Sequence, residues 1–267
     1  MASEGGLPLP GRLVETGGGA VRSTIAFLLA LSLTLVPAFA AQDPFALPVG
    51  TVVIDAGHGG HDPGASYSWP FAGGMVYERD LTLDIAKRLE VLLTLSHPEI
   101  EVVMTRSSDV YLSLGERSAI ASALHWGGKG ALFVSIHINS ALATSASGFE
   151  VLTKKQEKQV VFLDEATPAA NIPLFASHSQ IQLNRLLNHR NLVVASIFEE
   201  TLDSQLVTAR SRGVKEQDLW VLNQCRMPAV MVELGFLSNE GDAKNLTSSQ
   251  YRQRLAQVLA NAIERCL

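Results

Sequence analysis

Four side chains in this chain have the types and settings that chemistry needs: His58, Glu78, His137 and Glu233. His58 follows the apolar run 52–54 and is surrounded by Gly57, Gly59 and Gly60, which let a metal or substrate approach the backbone closely. His137 follows the run 132–136, Glu233 closes the run 229–232, and Glu78 opens a helical stretch. Two imidazoles with one carboxylate are the donor set of catalytic zinc sites, where the fourth position is left for water. Each residue also has an ordinary structural reading. A histidine after a strand is often only hydrogen-bonded, and Glu78 suits the positive end of a helix dipole. The four are spread along the chain rather than gathered in a local signature such as HExxH, so residue types and spacing leave both readings open.

The elements that must position them are legible from periodicity. Residues 51–54 are a β-branched strand that runs into a loop rich in glycine and closed by Pro63, a place where neither strand nor helix continues. Leu81, Ile85, Leu89, Leu92 and Leu93 recur at helical spacing, and residues 101–104 form the next strand. Ser113 and Glu116 make a capping box, which starts a helix expected to reach about Leu124. Strands are expected over 131–136, 148–153, 219–222 and 229–234, and a helix over 175–202. A second capping box at Thr247 and Gln250 introduces a last helix with one apolar stripe through Leu255, Val258, Leu259, Ala262 and Ile263. The alternation gives an α/β sandwich, and the fold expected is a mixed sheet between helices in a single catalytic domain. Strand ends in such sheets are where sites collect, and three of the four residues lie there.

The chain has 267 residues, with 21 Lys and Arg against 26 Asp and Glu. An acidic balance without a basic run or an aromatic-basic stripe argues against nucleic acid as a partner. Residues 25–36 are an apolar run behind Arg22, followed by Ala38-Phe-Ala40, the pattern of a secretory signal peptide with an N-terminal extension over 1–40. The run is too short for a membrane span, so the mature form is expected to have none. A short linker, 41–48, then leads to the domain at 49–267. Residues 154–173 are polar and aperiodic with two prolines, and read as an insertion or lid. Cys225 and Cys266 are too few for a disulfide framework, and the sequence leaves open whether they pair.

Six motifs in series resemble the zinc-dependent N-acetylmuramoyl-L-alanine amidases of the Amidase_3 family. They are Thr51-Val-Val-Ile-Asp-Ala-Gly-His-Gly-Gly-His-Asp-Pro-Gly-Ala65, Glu78-Arg-Asp-Leu81, Thr105-Arg-Ser-Ser-Asp109, Leu114-Gly-Glu-Arg117, Ser135-Ile-His-Ile-Asn139 and Val232-Glu-Leu-Gly-Phe236. The resemblance runs from about Val49 to Ile263. It implies one zinc ion held by His58, Glu78 and His137, and Glu233 as the catalytic glutamate. It further implies hydrolysis of the amide between the lactyl group of N-acetylmuramic acid and L-alanine of the peptidoglycan stem peptide, in cell-wall remodelling or daughter-cell separation. The expected location is the periplasm, otherwise the cell exterior. Some members carry a regulatory helix that a protein activator displaces, and Glu157 and Glu165 in the 154–173 stretch are the candidate inhibitory ligands. The chain departs from the family pattern at Ala56, Ser122 and Ile138, the last expected to narrow the pocket floor. His61 is a candidate contact to substrate or to the ligand shell. His97, His125, His178 and His189 match no motif, and Arg106, Asp109 and Arg117 are expected to fix loops rather than to react.

Overall fold

The computed structural model describes residues 42–124 and 126–267, so the leader expected at 1–40 and His125 lie outside the described residues. Its central sheet holds β1 (Val49–Ala56), β4 (Glu101–Met104), β5 (Gly130–Asn139), β6 (Phe149–Lys154), β7 (Ser211–Gln217) and β8 (Ala229–Phe236), in the order β4-β1-β5-β8-β6-β7. β4, β1, β5 and β8 are parallel neighbours, β6 runs antiparallel to β8, and β7 is parallel to β6. The sheet is therefore mixed, as expected. A separate hairpin of β2 (Ser66–Trp69) and β3 (Gly74–Tyr77) feeds directly into helix α1 (Glu78–Ser96). The other helices are α2 (Leu114–Ser122), α3 (Ile172–Ala176), α4 (Gln180–Gln205), α5 (Trp220–Asn223), α6 (Glu240–Thr247) and α7 (Ser249–Glu264).

Strand alternation divides the interior into two layers. Val52, Ile54, Leu132, Val134, Ile136, Val230 and Val232 pack on one face against α1, the C-terminal part of α4 and the stripe of α7. The opposite face carries Val53, Phe133, Leu152 and Met231, covered by Trp126, Phe162, Phe175, Val221 and Leu222. Toward the ends of β1, β5 and β8 this second face changes character. Asp55, Ser135, His137 and Glu233 stand where the apolar rows would otherwise continue. Ile138 belongs to the first layer and is buried there, so it does not narrow the pocket floor.

Several expectations require correction. Residues 219–222 are not a strand but lie at the single turn of α5; the strand is β7, just before. β7 has one aliphatic residue, Val214, and sits at the sheet edge, where a polar sequence is tolerated. The capping box of α2 forms with Ser113 and Glu116 as expected. That at Thr247 does not, because Thr247 is the last residue of α6 and its hydroxyl bonds back to Ala243 O at 2.8 Å. The long helix starts at Gln180 behind its own capping box, Ser179 with Gln182. Cys225 and Cys266 are both free thiols. The described part of the expected linker is docked, with Phe45 buried against Trp126, Phe162 and Phe175.

Residues 154–173 are pinned down rather than poised over a site. Val160 and Phe162 are fully buried, and Asn184 bonds Val160 at both its N–H and its carbonyl. Arg226 reaches Val161 O, Thr167 and Asp164. The stretch is thus part of the second layer. Phe162→Ala is expected to cost about 3–5 kcal/mol, read as a lower midpoint in urea unfolding.

Candidate metal centre

The site loop between β1 and the hairpin is built around one buried carboxylate. Asp55, 1% exposed, accepts hydrogen bonds from Thr105 Oγ1, Arg117 Nη1 and Ser135 Oγ, each at 2.7 Å. Burial alone would raise its pKa, but the Arg117 charge and the three hydrogen bonds hold it below the usual carboxylate range. Arg117 goes on to donate to Ala56 O at 2.7 Å and to His58 O at 2.5 Å. Arg106 donates to Ala56 O at 2.9 Å and Gly57 O at 2.8 Å. Two buried guanidiniums therefore take up three successive carbonyls. Asp109 holds the next stretch through Gly60 N–H at 2.7 Å. These three residues do fix loops.

The clamp holds His58 at φ 61°, a left-handed conformation that a non-glycine residue adopts at some cost. Gly57 and Gly64 complete the loop for steric reasons. A Cβ on Gly57 would lie 2.4 Å from the His137 ring, and one on Gly64 would lie 2.5 Å from Glu78 Oε2 in a backbone with φ 64°. Any side chain at either position would push the functional groups apart.

What the loop presents is a closed set of three donors. Glu78, the first residue of α1 and 4% exposed, lies between two imidazoles: Oε2 is 3.1 Å from His58 Nε2 and Oε1 is 2.9 Å from His137 Nδ1. Backbone N–H groups of Ala65 and Ile138 also donate to Glu78, at 2.8 and 3.0 Å. One donor atom from each of His58, Glu78 and His137 lies within 4.8 Å of the others, a spacing that can hold a metal ion. The other nitrogen of His58, Nδ1, is 2.8 Å from Asp62 Oδ2. A carboxylate behind a ligating histidine is the usual way such a ring is oriented.

The charges fit a cation. Burial works against a charged His58 ring, but the hydrogen bond and charge of Glu78, then those of Asp62, push its pKa up to about 9. His137 is likewise raised by Glu78 against the effect of burial. Glu78 itself is buried, yet the bonds from His137 and His58 hold it well below the usual carboxylate range. Protonated rings clasping a carboxylate is the arrangement a divalent cation replaces, since ligand nitrogens must shed their protons to bind it.

Glu233 stands beside His137 on the neighbouring strand, in register with it. Its Oε2 is buried and has no hydrogen-bond partner among the described residues. Burial raises its pKa to about 7; the His137 and His58 charges pull down, and those of Glu78 and Glu150 push further up. The cleft in front of these groups has a volume of about 470 Å³ and an apolar wall of Tyr111, Leu112, Leu114, Trp220 and Val221. No residue of 154–173 lines it, and neither Glu157 nor Glu165 joins the donor cluster. His61 packs on Tyr111 with the rings tilted and their centroids 4.0 Å apart, outside the donor cluster.

Sequence reasoning passed over Asp62 and Asp55. Asp62 stands four residues after His58 in the same glycine loop, a signal that was present. Asp55 gave only a charged residue at the end of an apolar strand.

The family model for N-acetylmuramoyl-L-alanine amidase, Amidase_3, matches residues 52–265. The Bacillus subtilis protein YqiI is 37% identical over 237 residues, covering 89% of this chain and 93% of that protein. The sporulation-specific N-acetylmuramoyl-L-alanine amidase of Bacillus subtilis is 31% identical over 216 residues, covering 80% of this chain and 66% of that protein. Among solved structures, an N-acetylmuramoyl-L-alanine amidase from Clostridium difficile 630 superposes with a TM-score of 0.61 at 27% identity, over 81% of this chain and 96% of that one. The catalytic domain of CwlV from Paenibacillus polymyxa gives a TM-score of 0.61 at 26% identity, over 82% and 98%.

Asp62→Ala is expected to weaken the binding of a divalent metal ion at the triad by roughly 10- to 100-fold, measured by competition with a chromogenic chelator. Asp55→Asn leaves Arg117 buried without its counter-charge and is expected to cost about 3–5 kcal/mol at pH 7. Because the Asp55 pKa is depressed on folding, its contribution is present above the ordinary carboxylate pKa of about 4 and is lost as pH falls through the lower folded value. The gap between wild type and variant in urea melts should therefore narrow below about pH 4.

Proposed function

The chain belongs to the Amidase_3 family of N-acetylmuramoyl-L-alanine amidases, enzymes of the cell wall, and on that premise we propose that it is a zinc-dependent hydrolase. Its bond would be the amide between the lactyl group of N-acetylmuramic acid and L-alanine of the stem peptide. The observation that carries this reading is the closed triad of His58, Glu78 and His137 with the unpartnered carboxylate of Glu233 beside it. The proposed setting is remodelling of peptidoglycan or separation of daughter cells. Export by the leader supports the periplasm, otherwise the cell exterior, as the place of action. No residue of 154–173 lines the cleft, so a protein activator of the proposed enzyme would act elsewhere than by displacing that stretch.

His58, Glu78 and His137 would hold the zinc, which when bound lowers the pKa of a water molecule and polarises the scissile carbonyl. Glu233 does the proton work. Burial raises its pKa, which suits a carboxylate that takes a proton from the attacking water as base and returns it as acid. The amide nitrogen must leave as an amine, so the returned proton goes there. Asp62 keeps the His58 ring in one orientation through Nδ1, and the Arg117 and Arg106 clamp fixes the loop that carries it.

The test is mass spectrometry of purified peptidoglycan digested by protein beginning at Ala41, with zinc and with chelator. Intact stem peptides with a free alanine amino terminus are expected with zinc alone. Glu233→Gln should keep stoichiometric zinc and lose roughly 10²- to 10⁴-fold in rate, whereas His58→Ala, Glu78→Ala and His137→Ala should lose both. Near-normal turnover by Glu233→Gln would remove it from the mechanism.

A further inference from the structure

The row of polar residues does not stop at Glu233. Next to it on β6, in direct register, is Glu150, a carboxylate only 4% exposed that none of the steps above uses. Asn139 Nδ2 donates to its Oε1 at 2.9 Å. Its Oε2 takes two cations from the edge strand β7: Arg212 Nε at 3.0 Å and Lys215 Nζ in a closer contact. Lys215 is paired in register with Leu152, whose side chain lies in the second layer, so the lysine stands on the same face of the sheet as Glu233.

One cation would balance Glu150, and two are present. The guanidinium of Arg212 lies over the Phe236 ring, 4.9 Å from its centroid, and among the described residues only its Nε donates to the protein. Its two terminal nitrogens, which form the fork that matches a carboxylate, bond no other described residue. Both side chains are partly open to solvent, Arg212 at 30% and Lys215 at 39%. The rim on this side of Glu233 thus carries a surplus positive charge on groups already oriented by a buried anchor.

The opposite side of Glu233 is the cleft walled by Tyr111, Leu114 and Trp220, where the charged residues are Asp62, Asp218 and the mutually paired Asp55 and Arg117, so no unpaired cation of the described residues lines it. The two halves of a muramyl peptide differ in the same sense. An N-acetylated sugar within a glycan strand carries no charge, whereas the peptide carries free carboxylates. β7 stands two strand spacings from β8, about 10 Å, a gap spanned by about two residues of extended chain together with the reach of a long Arg or Lys side chain. We propose that Arg212 and Lys215, anchored by Glu150 as a positioning residue, form a subsite for a carboxylate of the stem peptide on the leaving side of the scissile amide. This rests on the amidase reading and adds the direction in which the substrate lies: sugar toward Tyr111 and Trp220, peptide toward β7.

The test compares two soluble muramyl peptides that differ at one group, the α-carboxylate of the second residue, D-glutamate, either free or as its carboxamide. With zinc-loaded protein, kcat/KM is expected to favour the free carboxylate by roughly ten- to a hundredfold. In Arg212→Gln, and in Lys215→Gln, the ratio should move toward one through loss on the carboxylate substrate, and Arg212→Lys should restore part of it. A structural role for the two cations would leave the ratio untouched. If the wild type cleaves both peptides equally, the subsite is wrong while the amidase reading stands; a preference that survives Arg212→Gln and Lys215→Gln alike also overturns it. If the wild type cleaves neither, the amidase reading fails and this inference fails with it.

Discussion

The ion pair between Asp55 and Arg117 is the constraint on which the site depends. A buried pair of this kind adds little net stability compared with well-packed apolar residues in its place, so its effect lies in what it orders. Through Arg117 and the neighbouring Arg106 it fixes the carbonyls of residues 56, 57 and 58. With those carbonyls held, His58 stays in a left-handed conformation and its ring meets Glu78. Glu78 in turn reaches His137, and His137 stands beside Glu233. The clamp sets the first of these contacts, and strand register sets the last.

The sheet makes the arrangement possible by treating its two faces differently. The face packed on α1, α4 and α7 is apolar to the strand ends and carries the stability of the fold. The other face gives up its apolar rows near the ends of β1, β5 and β8, and the polar side chains that replace them lie in register across neighbouring strands. A carboxylate placed there has its pKa raised by burial, as at Glu233, without disturbing the layer beneath. Apolar residues line the cleft toward α2 and α5, and cations lie toward β7, so the environment of the central carboxylate is graded in charge from one side to the other.

Much of this was legible in the sequence, and the reasons it was legible are physical. Strands buried on both faces read as apolar runs, α1 and α7 showed their stripes, and the glycines around His58 announced a close approach. The resemblance supplied the grouping of His58, Glu78, His137 and Glu233, which spacing alone left open. What stayed hidden depends on tertiary contact. β7 is polar because it is an edge strand, and Leu219–Leu222 looked like a strand because a buried single turn is as apolar as one. Residues 154–173 looked like an insertion or lid because the short apolar cluster 160–163 sits in a polar, aperiodic stretch, although Val160 and Phe162 are buried. Asp62, Asp55 and Glu150 were each a single acidic residue until the fold supplied the partner.

The most direct measurement is a crystal structure of the zinc-loaded protein with anomalous data collected on both sides of the zinc absorption edge. The account predicts one zinc peak with nitrogen ligands from His58 and His137 and an oxygen ligand from Glu78 at about 2.0–2.2 Å, Asp62 on the far nitrogen of His58, and Glu233 close by but not bound to the metal. An absent peak at this triad, or a zinc ion ligated by Glu233, would contradict it.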